Sequence, residues 1–330
     1  MDVALRLRYP CNTVDLLTDV LTQAGLRRRF LDLRDLPVAT TLRFPCDKSI
    51  GFHVVVVGRA FIHTSQSPAV IPLRAGDVVL MARGQHHLVS TQEQRPATST
   101  ELDVWSSRPR ATDAISAASI VSGAYQLWHS PLHPMFQDLP DWFVLPAETE
   151  NQMSPLSLAI SLLAQESTRT DLGSSTVMHS LLDVIFAFIM RRIVAERGTQ
   201  AQSWSRALRD DQVRRAIELM HEDCAHAWTL VELAQKSGIS RTAMAARFRS
   251  TMGDTPLNYL RAIRVQTAMR LLCETDHSLE QVASAIGYAD AFAFSKVFKR
   301  TVGIAPRQFR QKNAAESAHP YRFVAQAGSR

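Results

Sequence analysis

The chain contains the same short pattern of residues twice between positions 230 and 310, and a repeat of this kind constrains the fold more than any other feature. In both copies a small alanine is followed four residues later by a glycine, at Ala234 and Gly238 and again at Ala283 and Gly287. Beyond the glycine the offset between the copies grows by one residue. The matching pairs are then Met244 and Phe294, Phe248 and Phe298, Arg249 and Lys299, Thr251 and Thr301, Gly253 and Gly303, Pro256 and Pro306, and Tyr259 and Phe309. We therefore expect two copies of one helical unit.

Each copy has the residue pattern of a helix-turn-helix. A small alanine on the first helix allows the second helix to cross it closely, and glycine in the turn permits a positive φ. Ser240 and Asp290 are suitable N-caps for the second helices, because their side-chain oxygens can accept from free backbone N–H groups. The apolar residues spaced by four on the second helices are predicted to be core: Met244, Phe248, Phe294 and Phe298.

The opposite faces of the two second helices carry the candidate DNA contacts. Cationic side chains bind phosphates or the acceptor edge of guanine, Ser and Thr pair with donors or acceptors, and Ala contacts a thymine methyl. The candidates are Arg241, Thr242, Ala245, Ala246, Arg249, Ala291, Ser295, Lys296 and Lys299. One such helix alone would equally suit an ordinary solvated surface. Two in tandem favour binding to adjacent segments of the major groove.

The distribution of charge agrees with this interpretation. Residues 241–312 hold twelve Lys and Arg against five Asp and Glu, a net charge of +7, whereas the whole chain has a net charge of +6. The basic excess is therefore confined to the part that contains the repeat, as expected for a phosphate-binding surface. A high isoelectric point by itself would be weak support for a phosphate-binding surface.

Composition and cysteine usage indicate a globular protein of a reducing compartment. A chain of 330 residues, 46% hydrophobic and 21% charged, suits two or three folded domains. The four cysteines show no CxxC spacing, which argues against a disulfide framework and a zinc finger: Cys11, Cys46, Cys224 and Cys273. The amino terminus lacks a signal-peptide pattern, and the longest apolar run, 181–190, is too short to cross a bilayer. We therefore expect a soluble cytoplasmic protein with no membrane partner.

The amino-terminal half has a different pattern from the repeat. Short β-rich runs between residues 50 and 90 are separated by turn residues, which predicts a sandwich or barrel. After Pro131 the periodicity becomes helical. One apolar stripe is predicted to form a dimerisation helix or, alternatively, to pack within the protein: Met178, Leu181, Leu182, Ile185, Phe188 and Ile189. Residues 165–175 and 197–206 are predicted to be loops, and the tail after Lys312 shows no periodicity.

Over residues 205–311 the chain resembles the AraC/XylS family of bacterial transcription regulators. The family hallmark is present as Gly287-Tyr288, then the run from Phe294 to Arg300, then Gly303-Ile304-Ala305-Pro306-Arg307-Gln308-Phe309-Arg310. The segment from Tyr259 to Leu272, with Arg264, resembles the long helix that joins the two units in this family. A rigid helix there would hold the recognition helices about one DNA turn apart, ~34 Å.

Most of residues 5–200 resembles the cupin-type sensor domain of one branch of that family. The matching stretches are 52–55, Gly58, 72–84, His87, 133–135 and 139–140. The resemblance implies an α+β chain with a cupin-like β-barrel over 1–145, helices for dimerisation or linkage over 146–204, and an all-α tandem helix-turn-helix domain over 205–312. Residues 313–330 are expected to be a disordered tail.

The cupin resemblance implies a small-molecule effector but neither a metal nor catalysis. Metal-dependent cupins use an H-x-H pair, a glutamate and a later histidine, whereas here His53 stands alone, Phe61 precedes His63 by two positions, and Ala82 replaces the usual proline. We therefore expect no metal, no cofactor and no enzyme activity. A small barrel can hold one small ligand, and the candidate pocket residues are Arg43, Phe52, His53, Phe61 and His87.

These observations favour a sequence-specific transcription regulator, an activator that binds double-stranded DNA as a homodimer, contacts RNA polymerase and responds to a small molecule. An effector of this kind acts by binding two states with different affinity. A redox-sensing regulator that uses Cys11 and Cys46 is one alternative. A cupin enzyme fused to a DNA-binding domain is the other, and it would need the ligand set that is absent here.

Overall fold

The computed structural model describes residues 15–23, 27–44, 49–64, 69–95, 102–103, 116–126, 132–137, 139–147, 154–167, 171–197 and 203–317. The chain divides into two compact units, and each is described by itself. The helical unit is made of segments 1–25, 129–137 and 197–313, and the sheet unit of segments 26–128, 138–196 and 314–330. A helix at the amino terminus and the short segment around His133 therefore belong to the same unit as the repeat.

The described strands are β1 Arg27–Pro37, β2 Thr41–Phe44, β3 Ser49–Thr64, β4 Val70–Arg74, β5 Val78–Met81, β6 His87–Ser90, β7 Leu102–Asp103, β8 Ser116–Gln126 and β9 Trp142–Leu145. The described helices are α1 Leu16–Gln23, α2 Pro134–Gln137, α3 Pro155–Ser167, α4 Ser174–Arg197, α5 Trp204–Ala207, α6 Asp211–Glu222, α7 Leu230–Lys236, α8 Arg241–Met252, α9 Pro256–Glu274, α10 Leu279–Ala285, α11 Ala291–Val302 and α12 Pro306–Ser317. The loops predicted at 165–175 and 197–206 were partly wrong, because α3 extends to Ser167, α4 covers Ser174–Arg197 and α5 begins at Trp204. The tail predicted from residue 313 was also placed too early, since α12 continues to Ser317.

The long strand β3 belongs to both halves of the sheet. Its first half pairs with β8 and β5, and its second half pairs with β4 and β6. The change of partners follows a register shift between Val55 and Val57 and a left-handed glycine, Gly58, with φ of 78°. A Cβ at Gly58 would lie 2.0 Å from the Ala117 carbonyl oxygen, so glycine is required where β3 bends.

The predicted sheet-rich domain is confirmed, but its described strands form an open roll rather than a closed barrel. The strand order is β1-β8-β3-β6-β2-β7, so β1 and β7 have one neighbour each. β1 pairs with β8 along this path, and no pairing joins β1 to β7 within the ranges that the structure describes. The inner face is packed with apolar side chains of both halves, because alternate residues of each strand point the same way.

The outer face of the sheet is covered by α4. Phe186 stacks on Phe52 of β3 and contacts Tyr125 of β8, with ring centroids 6.3 and 4.3 Å apart. The Tyr125 hydroxyl also donates to Asp183 over 2.6 Å. Three residues of the apolar stripe that was predicted to form a dimerisation helix are buried within this unit: Leu182, Ile185 and Ile189. The intramolecular alternative is therefore correct for these three residues.

The helical unit has the two predicted helix-turn-helix pairs, α7–α8 and α10–α11. Gly238 and Gly287 form the turns with φ of 72° and 76°. The Ser240 side chain accepts from Ala243 N–H, and the Asp290 side chain accepts from Ala293 N–H, so both N-caps are confirmed. The predicted core residues Met244, Phe248, Phe294 and Phe298 are all buried.

Candidate functional site

The first recognition face lies on α8, opposite its buried residues. Arg241, Thr242, Ala246 and Arg249 are exposed, and Ala245 is half-buried. The first turn of α8 is held by Ser240, so the side chains of Arg241 and Thr242 project from a fixed helix start. In a helix-turn-helix this end of the recognition helix contacts the base edges.

The second recognition face lies on α11 and repeats the first. Lys296 and Lys299 are exposed, and Ala291 and Ser295 are half-buried. This face also carries an exposed aromatic side chain, Phe292, which is not among the contacts predicted from the sequence. The repeat itself contained the signal, because the offset of 50 residues places Phe292 at the position of the candidate Thr242.

The four cations of the two recognition faces have no acidic partner among the described residues. No ion pair involves Arg241, Arg249, Lys296 or Lys299 within the described part of the chain. By contrast, Arg247, on the other side of α8, binds Asp210 and Gln212. Cations without a protein partner are available to phosphates and base edges.

Contacts of Arg264 and Gly287 fix the second helix-turn-helix against the loop that precedes the first. Arg264 of α9 donates to the carbonyl oxygens of Cys224 and His226, over 2.7 and 2.8 Å. The same guanidinium lies 5.7 Å from the centre of the Tyr288 ring. Gly287 approaches the same loop so closely that an added Cβ would lie 2.0 Å from the Ala225 carbonyl oxygen. The orientation of the two recognition helices is therefore held by α9 and by this contact.

A buried hydrogen-bond cluster around Tyr259 joins α1 and the His133 segment to the same unit. The Tyr259 hydroxyl accepts from the Trp204 indole N–H over 2.9 Å and from His133 Nε2–H over 3.3 Å. It donates to His221 Nε2 over 3.0 Å, which leaves His221 Nδ1–H to donate to the Asp19 carboxylate of α1. His133 Nδ1 accepts from Met135 N–H, which fixes its tautomer. No local pattern in the sequence indicates this cluster, because its members are far apart in the chain.

Burial accounts for the protonation states of the cluster. The pKa of His133 is lowered well below its usual value by burial and by the nearby His221, and burial raises the pKa of the Tyr259 phenol. Both groups are therefore neutral, as the donor and acceptor assignment requires.

Of the predicted ligand residues, the structure brings His53 and His87 together inside the sheet unit. Their Nε2 atoms are 2.7 Å apart, and the rings lie beside Phe44 and Trp142. His87 Nδ1–H donates to the Gln85 carbonyl oxygen, so its Nε2 accepts from His53 Nε2–H. His53 Nδ1 then accepts from the Ser122 hydroxyl over 2.7 Å. Every ring nitrogen of the pair has a partner.

This arrangement keeps both imidazoles neutral. Burial lowers the pKa of His87 to about 4, and burial followed by repulsion from His87 lowers the pKa of His53 well below its usual value. The hydrogen bond between the two Nε2 atoms uses the lone pair that a metal ion would need. Within the described ranges, no group of three or more His, Cys, Asp or Glu residues is close enough to hold a metal.

The other predicted ligand residues do not join this pair. Phe52 lies on the opposite face of β3, against Phe186 of α4. Arg43 is exposed and follows the inward-facing Leu42, and Phe61 is half-buried between the core residues Ala60 and Ile62. This separation could be predicted from the sequence, because neighbouring residues on a strand point to opposite faces.

The sheet unit also has an open cavity of about 270 Å³ between the β5–β9 edge and the helices α3 and α4. Its lining is mainly apolar and includes Leu145, Leu156, Ile160 and Phe188. Arg191 and Arg192 also line it; Arg192 pairs with Glu196, whereas Arg191 lies 5.7 Å from the centre of the Phe188 ring. None of the five predicted ligand residues lines this cavity.

The remaining predictions concern cysteines and membranes. Cys224 and Cys273 are half-buried free thiols, and burial raises the pKa of Cys224. Cys11 and Cys46 lie outside the described residues. No described helix combines the length and the apolar character needed to cross a bilayer.

Known proteins are similar to this chain in both its amino-terminal and its carboxy-terminal half. The cupin family model matches residues 15–195, and a helix-turn-helix domain model matches residues 233–312. A putative AraC-like transcription regulator of Streptomyces antibioticus is 28% identical over 90% of this chain and 99% of its own length. The HTH-type transcriptional regulator AlkR of Acinetobacter baylyi is 26% identical over 79% of this chain and 87% of its own length.

Among solved structures, the DNA-binding domain of AdpA in complex with a target DNA is 30% identical, covering 33% of this chain and 97% of that domain with a TM-score of 0.32. The cupin match spans more than half of the chain, and the second match begins within α7 and covers the rest of both helix-turn-helix units. The chain therefore belongs to the AraC family of transcription regulators that carry an amino-terminal cupin domain.

Proposed function

We propose that this regulator is a transcription activator that binds double-stranded DNA sequence-specifically as a homodimer, contacts RNA polymerase and responds to a small molecule. The observation that carries the proposal is the pair of equivalent recognition faces on α8 and α11. Each begins at a side-chain-capped helix terminus and carries two cations without an acidic partner among the described residues.

The nine residues selected from the sequence are the proposed contacts of these faces. Arg241 and Thr242, in the first turn of α8, are suited to base edges, and Ala245 and Ala246 allow close approach of the helix. Arg249, Lys296 and Lys299 are suited to phosphates or guanine, and Ala291 and Ser295 to base edges. With 19 residues, α9 has a length of ~28 Å at 1.5 Å per residue, which separates the two faces.

The DNA contacts are tested by titrating labelled duplexes that hold the preferred site, selected from random sequences. Arg241→Ala and Lys296→Ala are expected to weaken binding. A base contact gives a loss confined to the preferred sequence, and a phosphate contact gives a uniform loss with a salt slope about one unit shallower. Arg247→Ala is the matched control, because it removes the same charge from the other side of α8. A similar loss for Arg247→Ala would contradict the assignment of the recognition face.

The effector is proposed to bind in the sheet unit. The open cavity beside α4 suits an apolar molecule with an anionic group, because apolar side chains line it and Arg191 has no acidic partner among the described residues. The interior pair His53 and His87, with Arg43, Phe52 and Phe61 on other faces, is the second candidate position. Its ring nitrogens already have partners.

Octanoate and octanol serve as probes that differ in charge. If the cavity is the site, octanoate raises the melting temperature, octanol does so less, and Arg191→Gln removes the difference. Arg192→Gln is the control, because Glu196 already pairs with that guanidinium. Binding that is lost in His87→Gln but kept in Arg191→Gln would instead place the effector inside the sheet.

A second copy of the chain is proposed to cover the exposed apolar side of α3 and α4. Leu162 and Val184 are 53% and 42% exposed there, although Leu182 and Ile185 of the same helix α4 are buried. Sedimentation is expected to give a dimer for the unmodified chain and a monomer for Leu162→Glu. The redox alternative is tested by replacing Cys11 and Cys46 with serine, which must abolish the response to oxidant if that alternative is correct.

A further inference from the structure

The most exposed aromatic side chain on either recognition face is Phe292, in the first turn of α11. It is 81% exposed, whereas the other two phenylalanines of the helix, Phe294 and Phe298, are at most 1% exposed. Residues three and four apart share a helix face, so Phe292 lies on the side of Ser295 and Lys296. The position that the repeat pairs with it is Thr242 on α8.

Exposure alone would carry no conclusion, since single apolar side chains are common on protein surfaces. The position of Phe292 is the second observation. The amino-terminal turn of a recognition helix is the part that approaches base edges, and this turn is fixed by the Asp290 cap. The cations Lys296 and Lys299 follow on the same side of the helix, where they can bind the flanking phosphates.

The chemistry of the side chain selects its partner in the groove. Phenylalanine has no group that can donate to or accept from a base edge. The C5-methyl of thymine is the apolar group that the major groove displays, and Phe is among the side chains that contact it. The equivalent turn of α8 carries Arg241 and Thr242, whose side chains can form hydrogen bonds with base edges instead. The two units therefore present different chemistry at equivalent positions.

We propose that Phe292 is a specificity-determining residue that selects thymine, by burying its methyl group, in the DNA segment read by α11. The segment read by α8 is selected through hydrogen bonds of Arg241 and Thr242. The inference rests on the proposed DNA binding. It assigns recognition by hydrogen bonds to one major-groove segment and recognition of a thymine methyl group to the next.

The experiment uses deoxyuridine, which differs from thymidine by the methyl group alone. The full-length chain first selects its preferred duplex from random sequences, and each thymine of that duplex is then replaced by deoxyuridine in turn. At one or two positions in the segment of each half-site that α11 contacts, the replacement is expected to weaken binding about fourfold, as for the loss of one buried methyl-sized group. Phe292→Ala is expected to bind the unsubstituted duplex about tenfold more weakly and to lose this sensitivity to uracil.

Two further variants separate a base contact from a general effect on the helix. Phe292→Leu keeps an apolar side chain and is expected to keep part of the sensitivity to uracil. Leu257→Ala removes another exposed apolar side chain of the same unit, 43% exposed in the first turn of α9, and is expected to keep the full sensitivity. Circular dichroism of each variant checks that the fold is retained.

The outcomes distinguish this inference from the proposed function. If Phe292→Ala keeps the full sensitivity to uracil, another residue reads the methyl and the inference is wrong, although DNA binding stands. If Phe292→Ala loses activation in a reporter assay but binds DNA normally, Phe292 contacts a protein and the inference is also wrong. If the unmodified chain shows no sequence preference, the proposed function fails, and the inference fails with it.

Discussion

The two turn glycines of the repeat offer a matched pair of substitutions, Gly238→Ala and Gly287→Ala. Both glycines have a left-handed backbone, with φ of 72° and 76°. At this φ an L-residue destabilises the folded chain by roughly 1–2 kcal/mol. Alanine also lowers the conformational entropy of the unfolded chain, which offsets roughly 0.4–1 kcal/mol of that loss. An added Cβ at Gly238 has nothing within 4 Å. The expected loss of stability for Gly238→Ala is therefore only about 1 kcal/mol.

Gly287→Ala has the same backbone cost and a collision in addition. The new Cβ would lie 2.0 Å from the Ala225 carbonyl oxygen and 2.7 Å from the carbonyl carbon. Ordinary contact needs about 3.5 Å, so backbone must move by more than about 1 Å. That movement disturbs the loop carbonyls that Arg264 binds. Overpacking of this kind costs roughly 1–3 kcal/mol, so the total is about 2–4 kcal/mol.

Hydrogen exchange of the full-length chain across a urea series measures this difference. Peptides from α10 and α11 are expected to lose protection in Gly287→Ala at urea concentrations where Gly238→Ala keeps it. DNA binding should also fall more in Gly287→Ala, because both recognition helices must hold their relative orientation. Equal effects of the two substitutions, within about 0.5 kcal/mol, would refute the claim that the Ala225 contact fixes the second unit.

Three further predictions concern buried groups. Phe298→Ala is expected to cost ~3–5 kcal/mol because its ring is fully buried, and an unchanged melting curve would contradict its core position. The pKa of His87 is about 4 in the folded chain, whereas the usual pKa of histidine is 6.5. Below pH 6.5 the unfolded chain therefore binds a proton that the folded chain does not. As the pH falls from 6.5 to 4, the free energy of unfolding decreases by up to about 1.4 kcal/mol per pH unit. His87→Gln should flatten this dependence in urea unfolding, and a dependence as steep as that of the unmodified chain would contradict the assignment. Tyr259→Phe leaves buried partners without their hydroxyl and should speed hydrogen exchange in α1, and identical exchange would show that the cluster does not hold α1.

The repeat was predictable because its determinants are local. A positive φ at Gly238 and Gly287, the side-chain caps at Ser240 and Asp290, and apolar residues spaced by four depend on neighbours in the chain. The recognition faces follow from the same periodicity. Phe292 was omitted although its alignment with Thr242 was available, because an aromatic residue beside two core phenylalanines was not assigned to the exposed face.

The sheet unit was less predictable because pairing between distant strands decides it. The sequence indicated short strands, but β3 changes partners at Gly58, and this depends on the approach of Ala117. The apolar stripe of α4 was compatible with a dimer or with the sheet, and only the position of Phe52 and Tyr125 decided for the sheet. The same positions separate Phe52 from His53, its neighbour in sequence.

Sequence alone determined the family, the two helix-turn-helix units and the basic character of the part that contains them, because these follow from local spacing and from counts of charge. Tertiary structure decided the pairing of His53 with His87, the cavity beside α4, and the attachment of α1 to the helical unit through Asp19, His221 and Tyr259. Such groups are brought together by packing across tens or hundreds of residues. Their hydrogen bonds form only once that packing has excluded water, so no short stretch of the chain specifies them.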